Sequence, residues 1–441
     1  MSEFIWGLLG SGVIASSRRT RTLGLGDVVR EFNELAAPGM GGVWFAKQVV
    51  LALLGIEVAS RFRDSGKSLD NIRAANAVEA LACVIGLKEN DWIGDARLRG
   101  KNKMYGQDDL SFSKVSASSF YVTQPMRMAT VQTLPALGLV TASSSRFNSY
   151  RLSERGQALI NACAGKPCYY KNTAIDLIIK WAEGGSYALE NNEGVRSALS
   201  PLNTLDSKAR VILHDAVLRG QDCETQEKRQ RRQNALKWVE RLRTGPSANL
   251  EWEVPPNEIS QTHWHDLQCG AVFFALRDAA LRTLEQVEHT LGISGQHSLT
   301  LSCVNNDQVR AALEDLHQRA AAFFNLNSNV KAANSFAKNC VQENAKSVLT
   351  ELLNRDGRVL RLVGNNEIRP GSAYLGRLSW LDASEDSKKG DIEIDQASEN
   401  LPLNWPEGIS DRIRNLFLFN ADLKGDLDRW IINAPVMEEE A

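Results

Sequence analysis

Asp391, Glu393 and Asp395 alternate along the chain, so on a strand they would share one face, with Lys388 and Lys389 just ahead of them. Carboxylates and a lysine in that pattern are what a nuclease assembles around a divalent ion, but no second acidic stretch completes the set. Cys163 and Cys168 flank Ala-Gly-Lys-Pro as half a zinc site would, yet no matching pair follows. His263, His265 and Asp266 offer metal-binding atoms, although side chains two apart on a helix diverge. The glycine turn at residues 38–42 opens an apolar stretch as a phosphate cradle does, but it lacks the Gly-Lys-Ser/Thr of a nucleotide loop. Close packing is the expected role of its glycines. The denser set is Arg127, Thr130, Gln132, Thr133, Arg146 and Arg151. Gln and Thr hydrogen-bond base edges, and Arg reaches phosphate or guanine, so this set points to DNA. No catalytic residue, metal or cofactor is assigned, and an enzyme is not the favoured class.

These residues need a scaffold, and 441 residues supply enough for two to four domains. A hydrophobic share of 43% with 24% charged residues is ordinary for a globular protein and excludes collagenous or disordered classes. The net charge of -2 hides polarity along the chain. Residues 97–166 carry 10 Lys and Arg against 3 Asp and Glu, whereas residues 350–441 carry 11 against 18. Seven scattered cysteines suit a reducing compartment, so a cytoplasmic location is expected. The N-terminal apolar run precedes Arg18, Arg19 and Arg21, the reverse of a secretory signal. Residues 41–59 have spanning length but contain Lys47, Gln48 and Glu57, which favours a buried core helix over a membrane span.

Residues 69–87 repeat apolar side chains near a 3.6 period, with Asp70 as cap. The alternating cations Arg97, Arg99, Lys101 and Lys103 would present one charged face if that run were a strand. In residues 123–160, Thr123 and Pro125 can start a helix whose buried stripe is Met128, Val131 and Leu134. Thr130, Gln132 and Thr133 then point elsewhere. Pro135 should kink or shorten this helix by removing a bond to the Val131 carbonyl. Gly138 ends it, and Leu139-Val140 pairs with Tyr150-Arg151-Leu152 across a polar loop bearing Arg146. Ser153 caps the next helix, with Glu154 in its first turn. In residues 225–243, Trp238 and Leu242 supply the apolar contact, and Arg229, Arg231, Arg232 and Lys237 spread around the outside. A proline-rich linker at residues 245–260 precedes a helical group, and the alternation around Gly364-Asn365-Asn366 signals a hairpin.

The residues Leu134, Gly138-Leu139-Val140, Tyr150, Leu152-Ser153 and Gly156 resemble the second half of a winged helix-turn-helix domain, with the likeness covering about residues 70–162. That resemblance implies a helix at the major groove and a wing whose Arg146 lies over the minor groove or backbone. The expected fold is mainly α and multidomain: an N-terminal helical region (1–68), the winged-helix-like domain (69–165), a helical region (166–245), a helical bundle (257–355) and a small acidic α+β region (356–441). The expected function is a DNA-binding or scaffold component of a larger bacterial DNA-processing or phage-defence assembly. Its partners would be duplex DNA and other protein subunits, without a membrane. The competing expectations are a transcriptional regulator, whose dimerisation helix or ligand pocket would lie in residues 257–354, and a metal-dependent nuclease using the C-terminal carboxylates.

Overall fold

The computed structural model describes residues 21, 23–185, 189–245, 250–374, 403 and 405–431. The fold is mainly α, with short hairpins between helices. Described residues 32–270 and 403–431 form a larger compact unit, and residues 21–31 with 271–374 form a smaller one. The division falls within the first helix, α1 (Gly26–Ala36), and within the longest one.

The larger unit is built on α2 (Ala46–Asp64) and α3 (Asn71–Glu89). Residues 46–59 of α2 are all buried, as expected for a core helix. Gly55 permits the crossing, because a Cβ there would lie 2.3 Å from the Ala75 Cα. Asp70 caps α3 by accepting from the Arg73 amide at 2.9 Å. Two one-turn helices follow, α4 (Lys101–Met104) and α5 (Phe112–Val115), then another pair, α6 (Arg127–Thr130) and α7 (Thr133–Ala136). The antiparallel strands β1 (Val140–Ala142) and β2 (Tyr150–Leu152) pair Val140 with Leu152, Thr141 with Arg151 and Ala142 with Tyr150. α8 (Glu154–Ala164) leads to a second hairpin, β3 (Pro167–Tyr169) with β4 (Asn172–Thr173). The helices α9 (Ala174–Ala182), α10 (Glu193–Leu199), α11 (Ser207–Arg219) and α12 (Gln226–Thr244) complete this part.

α13 (Gln261–Ser294) carries the chain into the smaller unit, where Phe273 packs on Phe323 and Phe336 at 5.6 and 6.2 Å. That unit holds β5 (Leu299–Thr300), α14 (Asp307–Asn325), α15 (Lys331–Cys340), α16 (Ala345–Asp356), β6 (Leu360–Val363) and β7 (Glu367–Pro370). The β6–β7 hairpin turns at residues 364–366 as the sequence signals, and β5 adds a third strand on β7. α17 (Asp411–Lys424) returns to the larger unit and buries Ile413, Leu416, Phe417 and Phe419 there. Trp405 and Trp264 both meet Trp238 edge-on, at 5.9 and 5.7 Å. Residues of the proline-rich stretch join this cluster, with the Trp264 indole donating to the Trp252 carbonyl at 2.8 Å.

Several sequence expectations require correction. Arg97 to Lys103 is a loop entering α4, not a strand. Arg97 pairs with Asp95 and Asp428, both at 2.9 Å, and Arg99 donates to the Gln124 carbonyl at 2.7 Å. Arg231 and Arg232 do not lie on the outside of α12. Arg232 is fully buried, with Glu224 as its ion partner and the Val217 and Pro38 carbonyls as further acceptors. Arg231 pairs with Asp266 at 2.7 Å.

Candidate nucleic-acid interface

The segment spanning residues 123–160 begins with a cap supplied from another helix. Glu79, buried on α3, accepts from the Met126 and Arg127 amides at 2.5 and 2.9 Å and from the Tyr121 hydroxyl at 2.9 Å. It thereby satisfies donors that the start of a helix leaves open. Burial raises its pKa, and the two backbone donors oppose that shift.

The helix expected to run through to Gly138 is instead split into α6 and α7. Pro135 cannot donate to the Val131 carbonyl, and the Tyr150 hydroxyl takes that place at 2.8 Å. Gly138, at φ +65°, closes α7 while the Leu139 amide reaches back to the Leu134 carbonyl at 2.9 Å. Ser153 caps α8 as expected, accepting from the Gly156 amide at 3.1 Å and donating to the Gly138 carbonyl at 2.7 Å. Gly156 is required by contact, since a Cβ there would sit 2.1 Å from the Leu139 oxygen.

The facing of this helix differs from the sequence expectation. Met128 is 51% exposed instead of forming part of a buried stripe, whereas Thr130 and Thr133 are both 0% exposed. The Thr130 hydroxyl donates to the Arg127 carbonyl, and that of Thr133 donates to the Met40 carbonyl, each at 2.8 Å. The cause is the glycine turn at residues 38–42, which packs directly on α6 and α7. A Cβ on Gly41 would meet the Ala129 oxygen at 2.6 Å, and one on Gly39 would meet the Ala136 Cβ at 2.6 Å. Gln132 accepts from Arg412 on α17, which also pairs with Glu34. Arg127 donates to Asn76 at 2.5 Å and lies over the Phe147 ring at 5.6 Å. Burial lowers its pKa. The polar groups of the short helices are therefore engaged within the fold.

A cleft of about 470 Å³ lies beside them, lined by Gln132, Pro135, Ser144, Ser145, Glu224 and Lys228 among others. Glu34 also lines it, and both of its carboxylates are tied to arginines, Glu224 to Arg232 and Glu34 to Arg412. An incoming phosphate finds little free positive charge there.

The hairpin differs. Arg146 is exposed in the loop, and Arg151 is exposed on the face of β2 shared with Thr141. Phe147 and Tyr150 turn inward, and Asn71 on α3 holds both of their carbonyls at 2.9 Å, which fixes the loop. The same Asn71 accepts from Arg63 at 3.0 Å. The second guanidinium nitrogen of Arg63 has no partner, and burial together with the neighbouring Arg151 charge lowers its pKa. Among the described residues, no ion pair engages Arg63, Arg146 or Arg151. Arg63 carries no local signal in the sequence, because it sits in the last turn of an apolar helix, 77 residues before the start of the hairpin it approaches.

The other candidates do not assemble. His263 is buried and donates to the Ala36 carbonyl at 2.9 Å, while Asp266 belongs to Arg231. Cys163 and Cys168 line one cavity of about 200 Å³ with Lys47, Lys166 and Asp206. Burial pushes the Cys163 thiol up to about 12, and no metal-capable cluster occurs among the described residues. Asp391, Glu393, Asp395, Lys388 and Lys389 lie outside the described residues, as does the N-terminal run with Arg18 and Arg19. No helix of the described residues is long and apolar enough to cross a membrane. Comparison with family models, with curated proteins and with solved structures finds no match.

Proposed function

We propose that the chain is a DNA-binding or scaffold component that grips duplex DNA by its phosphates, using Arg146 and Arg151 on the hairpin. The observation that carries this reading is the contrast within one segment. The hairpin cations are free of carboxylates, while Thr130, Gln132 and Thr133 are already bonded inside the protein. Phosphate contacts of this kind give affinity and register with little sequence preference. A place in a larger bacterial DNA-processing or phage-defence assembly, alongside other protein subunits, fits a binding component without chemistry of its own.

The test compares duplex binding by Arg146→Ala and Arg151→Ala with that by Thr130→Ser. Losses confined to the arginine variants, similar across unrelated sequences, support the proposal. Equal binding by all variants contradicts it. Marked sequence selectivity would favour a ligand-responsive regulator, for which the smaller unit offers an apolar cleft of about 460 Å³ lined by Leu313, His317, Cys340 and Val348. Plasmid cleavage with Mg²⁺ or Mn²⁺ that is lost on changing Asp391 and Glu393 would replace it with the nuclease reading.

A further inference from the structure

The β3–β4 hairpin carries side chains that the winged segment does not use. Its strands pair Tyr169 with Asn172, leaving Tyr170 and Lys171 as a two-residue loop. Tyr170 has φ +52° and is 86% exposed; Tyr169 is 51% exposed and meets it edge-on at 4.9 Å. Left-handed backbone at such a loop position ordinarily selects glycine, asparagine or aspartate, and a bulky ring held there is strained. The fold exposes two large aromatic surfaces to solvent at a turn where a small residue would be easier to place. The base of the hairpin is firmly held, because Cys168 packs so tightly on α10 that a Cβ on Gly194 would fall 2.1 Å from its own Cβ. Thr173 and Asp176 cap each other at the start of α9. Lys171 is exposed at the tip, whereas Lys166 at the root is exposed but pairs with Asp206 at 3.1 Å.

We propose that Tyr169 and Tyr170, with Lys171 beside them, form a stacking platform for unpaired bases of single-stranded nucleic acid. Exposed aromatics beside an unpaired lysine suit the stacking of bases and the charge of their phosphates. The platform hairpin and the β1–β2 hairpin are joined through α8. β2 ends at one end of α8 and β3 begins at the other, and 11 helical residues span about 16 Å, or roughly five base-pair steps. The partner this arrangement fits is a duplex with a single-stranded extension.

The experiment measures binding of the full chain to a blunt duplex, to the same duplex with an oligothymidine tail, and to oligothymidine alone. The tail is expected to raise affinity about tenfold for one well-stacked base. Tyr169→Ala and Tyr170→Gly should each abolish that gain while leaving blunt-duplex affinity unchanged. Tyr170→Gly relieves the strained backbone, so its thermal midpoint should hold or rise, which separates lost stacking from lost folding. A tail that adds nothing, or a gain that survives both variants, overturns the proposal. Tyrosine-dependent binding of oligothymidine without blunt-duplex binding would sustain the platform and remove the wing instead.

Discussion

The His263 imidazole is 1% exposed, with Nε2–H donating to the Ala36 carbonyl and Nδ1 facing no partner. Protonation would place a second donor where no acceptor exists, and burial pulls its pKa from 6.5 to about 4. As pH falls below 6.5 the unfolded chain takes up this proton first. The stability associated with the neutral ring is therefore complete above pH 6.5 and declines until about pH 4, by about 3 kcal/mol in all. Denaturant midpoints measured between pH 7 and 4 should show this decline, and His263→Gln should flatten it; an identical pH slope in the variant would count against the assignment. The same scale explains what could be read from residue types alone. Ser153 and Asp70 were legible as caps because their partners lie three residues away. The inward turn of Thr133 depends on Met40, and the engagement of Gln132 depends on Arg412, at separations of 93 and 280 residues that no local pattern encodes.

Among elements, α6 and α7 depend on what surrounds them, since one-turn helices have no stability of their own. Glu79 supplies the cap, Tyr150 replaces the bond that Pro135 removes, and the glycine turn covers one face. Glu79→Ala leaves the Met126 and Arg127 amides without their acceptor, which should cost about 3 kcal/mol. Glu79→Gln, keeping one acceptor oxygen, should cost less. Hydrogen exchange at the Ala129 and Thr130 amides would report the loss locally, and unchanged protection in Glu79→Ala would contradict this account of the cap. The hairpin that follows was visible in sequence because Gly138, the Leu139-Val140 pair and the polar loop all agree. The break before it was only half visible: Pro135 signals a disturbance, but the amphipathic pattern does not say that the glycine turn will claim the face opposite Met128.

At the scale of the whole molecule, the compact units do not follow chain order. The acidic C-terminal zone suggested by composition sends part of itself back to the larger unit. Asp422 accepts from the Ala46 amide at 2.6 Å at the start of α2, Asp426 pairs with Arg243 at 2.6 Å, and Asp428 pairs with Arg97. The charge polarity along the sequence is thus partly complementarity within one unit, and Arg97 is not available to DNA. Ending the chain after residue 374 would remove α17, with Ile413, Leu416, Phe417 and Phe419 each 0% exposed. At about 2 kcal/mol for each buried side chain, that loss rivals the whole stability of a domain. The shortened chain should lose the cooperative unfolding transition of the larger unit, with residues 69–165 becoming open to proteolysis; an intact transition would contradict the assignment of α17 to that core.

The central claim concerns free cations on the hairpin, and its most direct test is the salt dependence of duplex affinity. For the intact protein, log affinity should fall linearly with log salt. The slope should flatten by roughly one unit in Arg146→Ala and by roughly two in the variant lacking both Arg146 and Arg151. A slope near zero for the intact protein, or one unchanged in the double variant, would contradict the phosphate-gripping hairpin.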